Sequence, residues 1–221
     1  MDLIQRALPE FLIGARNTVI YCVSAFPLAL LLGLLLALMS SSPLAFLKVP
    51  ARIFIEIIRS TPLIVQLFIL YYAVGAVLLN IHLETLDNSW SAGIVVLALN
   101  YSAYEAEVFR SGFLSVDPGQ REAAYSLGLT SRQSFFRIIL PQAIPVMIPP
   151  FVNDFIYMLK DSAIVSVIAG TELTSVLNTW ITHNGSNPIP LYTLAIVLYL
   201  ALSLPTSYVA RFFERRLRAA L

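Results

Sequence analysis

From Asn17 to Leu47 the chain carries no charged residue, and the first charge after that run is Lys48. A helix that crosses a bilayer needs about 20 mostly apolar residues, and Thr18–Met39 supplies them without interruption. The run is much longer than the roughly 7–15 apolar residues of a secretory signal, so it reads as a retained span. Composition extends the point. The chain of 221 residues is 58% hydrophobic and 12% charged, against roughly 45–50% apolar and 25% charged in soluble domains. Lipid must be part of its solvent, and the fold class expected is all-α integral membrane. A net charge of +1 offers nothing to nucleic acid. Cys22 is the only cysteine, which excludes an internal disulfide, and His82 and His183 lack metal-ligand spacing, so no metal site is read.

Hydropathy predicts about five transmembrane helices, at about 15–39, 52–79, 90–112, 141–168 and 191–212, in one domain spanning 1–221. The segments 80–89 and 169–190 then become outer loops, the second polar from Thr179 to Pro190. Basic residues gather on the cytoplasmic side of a membrane. Of the 14 basic residues, only Arg6, Arg16 and Lys160 fall outside 40–59, 110–140 and 211–221. That asymmetry places the N-terminus outside and the C-terminus in the cytoplasm.

The segment between the third and fourth spans has its own structure. Asp117 is a natural N-cap with Pro118 at the first helical position. Glu122, Ala123 and Ala124 favour helix, and Gly128 with Thr130 breaks it. A second short helix starts at a Thr130 or Ser131 cap, carries Phe135, Phe136, Ile138, Ile139 and Leu140, and is expected to end at Pro141. Two short helices at an angle suit a docking knob. The alternative is an amphipathic loop lying on the membrane surface.

The spacing of that loop resembles a known family. Glu122-Ala123-Ala124, then Gly128, Ile138 and Leu140-Pro141 match the EAA loop of permease subunits of ATP-binding cassette (ABC) importers. Arg59-Ser60-Thr61-Pro62-Leu63 with Gln66-Leu67 resembles the second-span signature of the polar amino acid permeases, with Ser60 where glycine is usual. Ala103 to Arg110 and Lys160-Asp161-Ser162-Ala163-Ile164 resemble further segments of that group. The resemblance implies a type I ABC importer permease fold with a cytoplasmic coupling helix. It also implies a non-catalytic subunit of a multi-pass bacterial inner-membrane transporter, and places Glu122, Ala123, Ala124, Gly128, Leu140 and Pro141 at the contact with the ATPase. The implied partners are ABC ATPase subunits, a second permease chain (identical or a sibling) and an extracytoplasmic amino-acid-binding protein. No GxxxxGK[ST] phosphate loop occurs, so no cofactor is expected in this chain, and ATP with Mg belongs to the ATPase. A secondary transporter or channel would suit the spans but leaves the loop without a purpose.

Ionisable groups at membrane depth are costly, by roughly 2.5–3.5 kcal/mol on insertion scales, so each is a site hypothesis. In the third span Asn100, Tyr104 and Glu107 share one helical face, with Tyr101 and Glu105 beside it. In the fourth, Asp154, Tyr157 and Asp161 form a stripe next to Asn153, and Pro145, Pro149 and Pro150 are expected to kink or unwind its start. The substrate-binding candidates are therefore Asp154, Glu105, Asn100, Tyr104, Asn153 and Tyr157. Glu107 with Arg110, and Lys160 with Asp161, are expected as structural charge pairs. The excess of acids favours a cationic amino acid such as arginine, lysine or histidine. Mutual neutralisation of these charges would instead suit glutamine or another neutral or acidic polar amino acid.

Overall fold

The computed structural model describes residues 2–74, 88–184 and 187–218. Among them the chain is helical, without strands. Helix α1 is Asp2–Ser40, α2 is Ala45–Ser60 and α3 is Leu63–Phe68, running on as a π-helical stretch Ile69–Val74. Helix α4 is Ser89–Leu114 and α5 is Pro118–Ser126. Helix α6 is Ser131–Ser134 and leads through a π-helical stretch Phe135–Ile139 into α7, Leu140–Asp161. A 3-10 turn, Ser162–Ile168, follows. Helix α8 is Leu173–Asn184 and α9 is Ile189–Arg218.

Three stretches are long and apolar enough to cross a bilayer: Leu3–Ser40, Ser131–Ile168 and Ile189–Val209. The α2–α3 pair makes a fourth if it is one broken span. The remaining expected span, α4, has 26 residues, but Glu105, Glu107 and Arg110 dilute its apolarity. It is the most enclosed helix, with Ala92, Val96, Leu97, Tyr101, Ala103 and Ala106 buried.

α1 and α4 pack tightly because small residues line the contact. A methyl group on Gly33 would stand 2.6 Å from Glu105 Cβ and 3.0 Å from Ser102 O. Further along, Tyr21 stacks on Trp90 with ring centroids 4.3 Å apart. Tyr21, Leu67, Leu97, Met158 and Val165 form the centre of the largest buried cluster. α1 starts earlier than hydropathy suggested. Its first turns carry Ala7 and Phe11 into a second cluster with Leu173, Leu177 and Leu191, so packing extends the helix beyond the apolar run.

The expected second span is not one helix. The axes of α2 and α3 differ by 113° across Thr61-Pro62. Pro62 has no N–H, so the Ile58 carbonyl loses the donor it would have in an α-helix. Gln66 repairs this: its Nε2 donates to Ile58 O at 2.8 Å and to Thr61 Oγ1 at 2.9 Å. Asn100 Nδ2 of α4 in turn donates to Gln66 Oε1 at 2.9 Å. The distal end of that span, 75–79, and most of the 80–89 loop lie outside the described residues.

Two further expectations change. The second elbow helix does not end at Pro141; helix runs from Ser131 through Ile168. The π-helical register at Phe135–Ile139 shifts bonding to i→i+5, so the N–H that Pro141 lacks is not required at that point. Nor do Pro145, Pro149 and Pro150 unwind α7; all three lie inside it. Burial of Ala143, Met147, Met158 and Leu159 against the bundle outweighs the missing donors, as packing commonly overrides local propensity.

The segment 169–190 is also more than a polar loop, because α8 lies within it. Ala169 turns the chain at φ 58°. Glu172, fully buried between the stretches that end at Ile168 and begin at Ile189, then caps α8. Its carboxylate accepts from Thr174 N at 2.6 Å, Ser175 N at 2.7 Å and Tyr199 Oη at 3.2 Å. Thr18 Oγ1 accepts from Leu173 N at 3.2 Å, and Asn17 Nδ2 donates to Thr171 O at 2.7 Å. Burial pushes the Glu172 carboxyl up to about 7, against the opposing pull of the N–H groups and the Tyr199 hydroxyl. The folded state therefore holds this proton more tightly than the unfolded chain. Stability is greatest below the unfolded value near 4.5 and falls as pH rises towards 7, by roughly 3 kcal/mol at most. Thermal unfolding in detergent should show a lower Tm at pH 8 than at pH 5, and Glu172→Gln should flatten that difference. A wild-type Tm that rises over this interval contradicts the account.

Candidate functional site

The elbow that follows α4 is built as its residues dictate. Asp117 Oδ1 accepts from Gly119 N at 2.6 Å, capping α5 with Pro118 in its first turn. Gly128 follows at φ +79°, in the left-handed region that disfavours a side chain. Thr130 then opens α6 with a reciprocal capping box to Gln133. Glu122 and Ala123 are exposed, Ala124 is buried, and Tyr125 and Leu127 stand out at 47% and 81% exposure. Leu140 and Pro141 lie at the start of α7, where Val116, Ile139 and Ala143 share a buried cluster. The elbow is thus anchored at its base and open at its tip.

A cavity of about 330 Å³ opens between the α2–α3 break, α4 and α7. Thr61, Pro62, Leu63, Asn100, Tyr101, Tyr104, Asp154, Tyr157 and Asp161 line it. Broken helices are tolerated at membrane depth where they line a cavity. Here the break supplies one wall, and the Gln66–Asn100 hydrogen bond holds that wall against α4. Tyr101 Oη donates to Asp161 Oδ2 at 2.7 Å. Asp154 has neither a hydrogen bond nor an ion pair among the described residues. Lys160 Nζ sits 4.5 Å from the centre of the Tyr157 ring, and Arg59 Cζ sits 5.6 Å from that of Tyr104.

The cavity gathers Asn100, Tyr104, Asp154 and Tyr157 from the expected binding residues, and excludes two. Glu105 follows Tyr104 by about 100° around the helix, which turns it towards α1. There it is fully buried against Gly33, with both carboxylate oxygens unpartnered among the described residues. Asn153 is exposed and outside the lining. The two expected charge pairs fare differently. Arg110 Nη2 donates to Glu107 Oε2 at 2.6 Å. Lys160 and Asp161 do not pair; adjacent residues of a helix point apart, so Lys160 turns to the Tyr157 ring and Asp161 to the Tyr101 hydroxyl.

Residues 8–219 match the model of the family described as binding-protein-dependent transport system inner membrane component. The chain belongs to that family. It is similar to the L-cystine transport system permease protein TcyB of Bacillus subtilis (strain 168), at 36% identity over 98% of this chain and 90% of the relative. It is also similar to the glutamine transport system permease protein GlnP of Escherichia coli (strain K12), at 31% identity over 96% of this chain and 94% of that one. A crystal structure of an amino acid ABC transporter with histidines superposes with a TM-score of 0.88, at 37% identity and 96% coverage of both chains. An inward-facing methionine ABC transporter, MetNI, shares the fold at a TM-score of 0.72 and 21% identity, over 98% of this chain and 97% of that chain.

As a binding-protein-dependent permease, the chain is the non-catalytic, multi-pass inner-membrane component of an ABC importer. Its fold is the all-helical type I permease fold. Work by such a subunit requires an ATPase and a binding protein as partners. Sequence reading missed Thr61, Pro62 and Leu63 as cavity walls, although Pro62 within an apolar run, followed by Gln66, was the available signal of a broken and repaired helix. It also missed Tyr101, which spacing alone set on a neighbouring face.

Proposed function

We propose that the permease carries polar amino acids, with cationic ones preferred, through the cavity between the α2–α3 break, α4 and α7. The observation that supports this is the charge of the lining: among the described residues it holds two carboxylates, Asp154 and Asp161, and no lysine or arginine. Asp154, unpaired, is the group that meets the ammonium or guanidinium of the side chain. Tyr104 and Tyr157 supply aromatic walls, each already carrying a protein cation, Arg59 and Lys160, and Asn100 holds the wall as well as facing the cavity. An extracytoplasmic protein delivers the amino acid. Two permease chains, identical or sibling, alternate access as ATPase subunits bind and hydrolyse ATP with Mg at their own sites. The elbow bearing Glu122, Ala123, Ala124 and Gly128 transmits that motion, with Leu140 and Pro141 linking it to α7.

A second reading has its own support. Tyr101 already engages Asp161, which leaves one free acid, enough for an α-ammonium; the relatives named for cystine and glutamine transport accord with it. Asp154→Asn distinguishes the two. Removing one partner of a buried charge pair costs roughly 2–5 kcal/mol, so arginine uptake by the reconstituted complex should fall about 30-fold or more with assembly intact. Unaltered arginine uptake would remove Asp154 from the site. Loss of glutamine uptake in equal measure would favour the neutral reading.

A further inference from the structure

A second, smaller cavity lies towards the elbow end of the bundle, between α1, α2 and α4. It is about 230 Å³ and is lined by Ser40, Arg52, Ile55, Glu56, Glu107 and Arg110. Its lining differs in kind from that of the first cavity, since it carries two guanidiniums and two carboxylates. Glu107 and Arg110 satisfy one another at 2.6 Å. Arg52 and Glu56, one helical turn apart on α2, form no ion pair with each other or with any described residue. Arg52, whose charge also acts on Glu107, and Glu56 thus stand side by side on the exposed rim of the cavity, each without a direct ion pair among the described residues. Its volume is below the roughly 300 Å³ at which pockets for drug-sized ligands begin, so it suits a small ligand.

We infer that this cavity binds a small zwitterion, its carboxylate or phosphate on Arg52 and its ammonium on Glu56. Arginine takes an oxyanion through two parallel N–H bonds, and Glu56 accepts from the ammonium. Two sources share this chemistry: a free α-amino acid arriving from the elbow side, and the ethanolamine phosphate headgroup of a membrane lipid. The first rests on the transport function proposed above and would make the cavity a product site, where accumulated amino acid slows further release. The second does not depend on that function.

The test uses the complete transporter, with its ATPase and binding protein, in liposomes whose elbow side faces the bath. Arginine is added to the bath over a millimolar range while uptake from the other side is followed. The measurement is made in phosphatidylcholine–phosphatidylglycerol vesicles and again with phosphatidylethanolamine. For an amino acid occupant, bath arginine slows uptake, and Arg52→Gln with Glu56→Gln, which removes both contacts, raises the half-inhibitory concentration at least about tenfold, equivalent to about 1.4 kcal/mol of lost binding. For a lipid occupant, bath arginine has no effect, but phosphatidylethanolamine changes the uptake rate in wild type and not in the double variant. Equal responses of wild type and double variant to both additions, or no response to either, overturn the inference. Absence of amino acid uptake under every condition counts against the transport function instead; ATPase activity then reads the lipid arm.

Discussion

Gly128→Val is expected to cut solute uptake by more than about tenfold while leaving the permease folded in the membrane. A methyl group at this position meets none of the described residues within 4 Å, so space is not the constraint. The backbone is: φ is +79°, and a β-branched residue there costs roughly 1–3 kcal/mol. The chain can relieve that cost by changing the angle between α5 and α6. These are the two parts of the exposed elbow, and neither contributes to the main buried cluster. The damage should therefore fall on coupling. Uptake in proteoliposomes should collapse, and ATP hydrolysis by the complex should lose its stimulation by the binding protein. Tm in detergent should move little. Normal uptake by Gly128→Val would show that the elbow is not the mechanical link and would undercut the importer mechanism proposed above.

Gly33→Leu is expected to act in the opposite sense, on stability first. Here the backbone of α1 runs so close to α4 that an added Cβ would stand 2.6 Å from Glu105 Cβ, 3.0 Å from Ser102 O and 3.1 Å from Ala106 N. Two of those atoms are backbone and cannot rotate away. Overpacking typically costs 1–3 kcal/mol, and for a chain of this size each kcal/mol shifts Tm by roughly 2–4 °C. A fall in Tm on the order of 10 °C is expected for leucine, and a smaller one for Gly33→Ala. The displaced α4 also carries Asn100, Tyr101 and Tyr104 into the cavity, so uptake should fall further than the loss of folded protein explains. Thermal unfolding in detergent, with uptake normalised to folded transporter, measures both. An unchanged Tm for Gly33→Ala would mean that α1 and α4 are not held at that distance.

Local features were legible without coordinates because their causes are local. The Asp117 cap, Pro118, the Gly128 turn and the Thr130 cap each depend on a few neighbouring residues. The Glu107–Arg110 pair is one turn of helix. The failures share a different cause. Glu105 and Tyr104 are neighbours in sequence, yet one faces α1 and the other the cavity, and only the azimuth at which α4 packs decides which. Lys160 and Asp161 are opposite charges side by side, and helix geometry sends them to different partners. The segment 169–190 reads as polar, but α8 buries Leu173 and Leu177 through contacts with α1 and α9.

What the sequence by itself determined is residence in the membrane, the elbow and the family, since length of apolar run, cap chemistry and motif spacing need no partner helix. What only the tertiary structure decided is the shape of the cavity. The α2–α3 break is closed by Gln66 under a hydrogen bond from Asn100, a residue 34 positions away. Asp154 is left unpaired, and Glu172 is buried at the join of three helices. Each of these depends on how far and at what angle helices cross, and a rotation of one residue, about 100°, would exchange a cavity wall for a packed core.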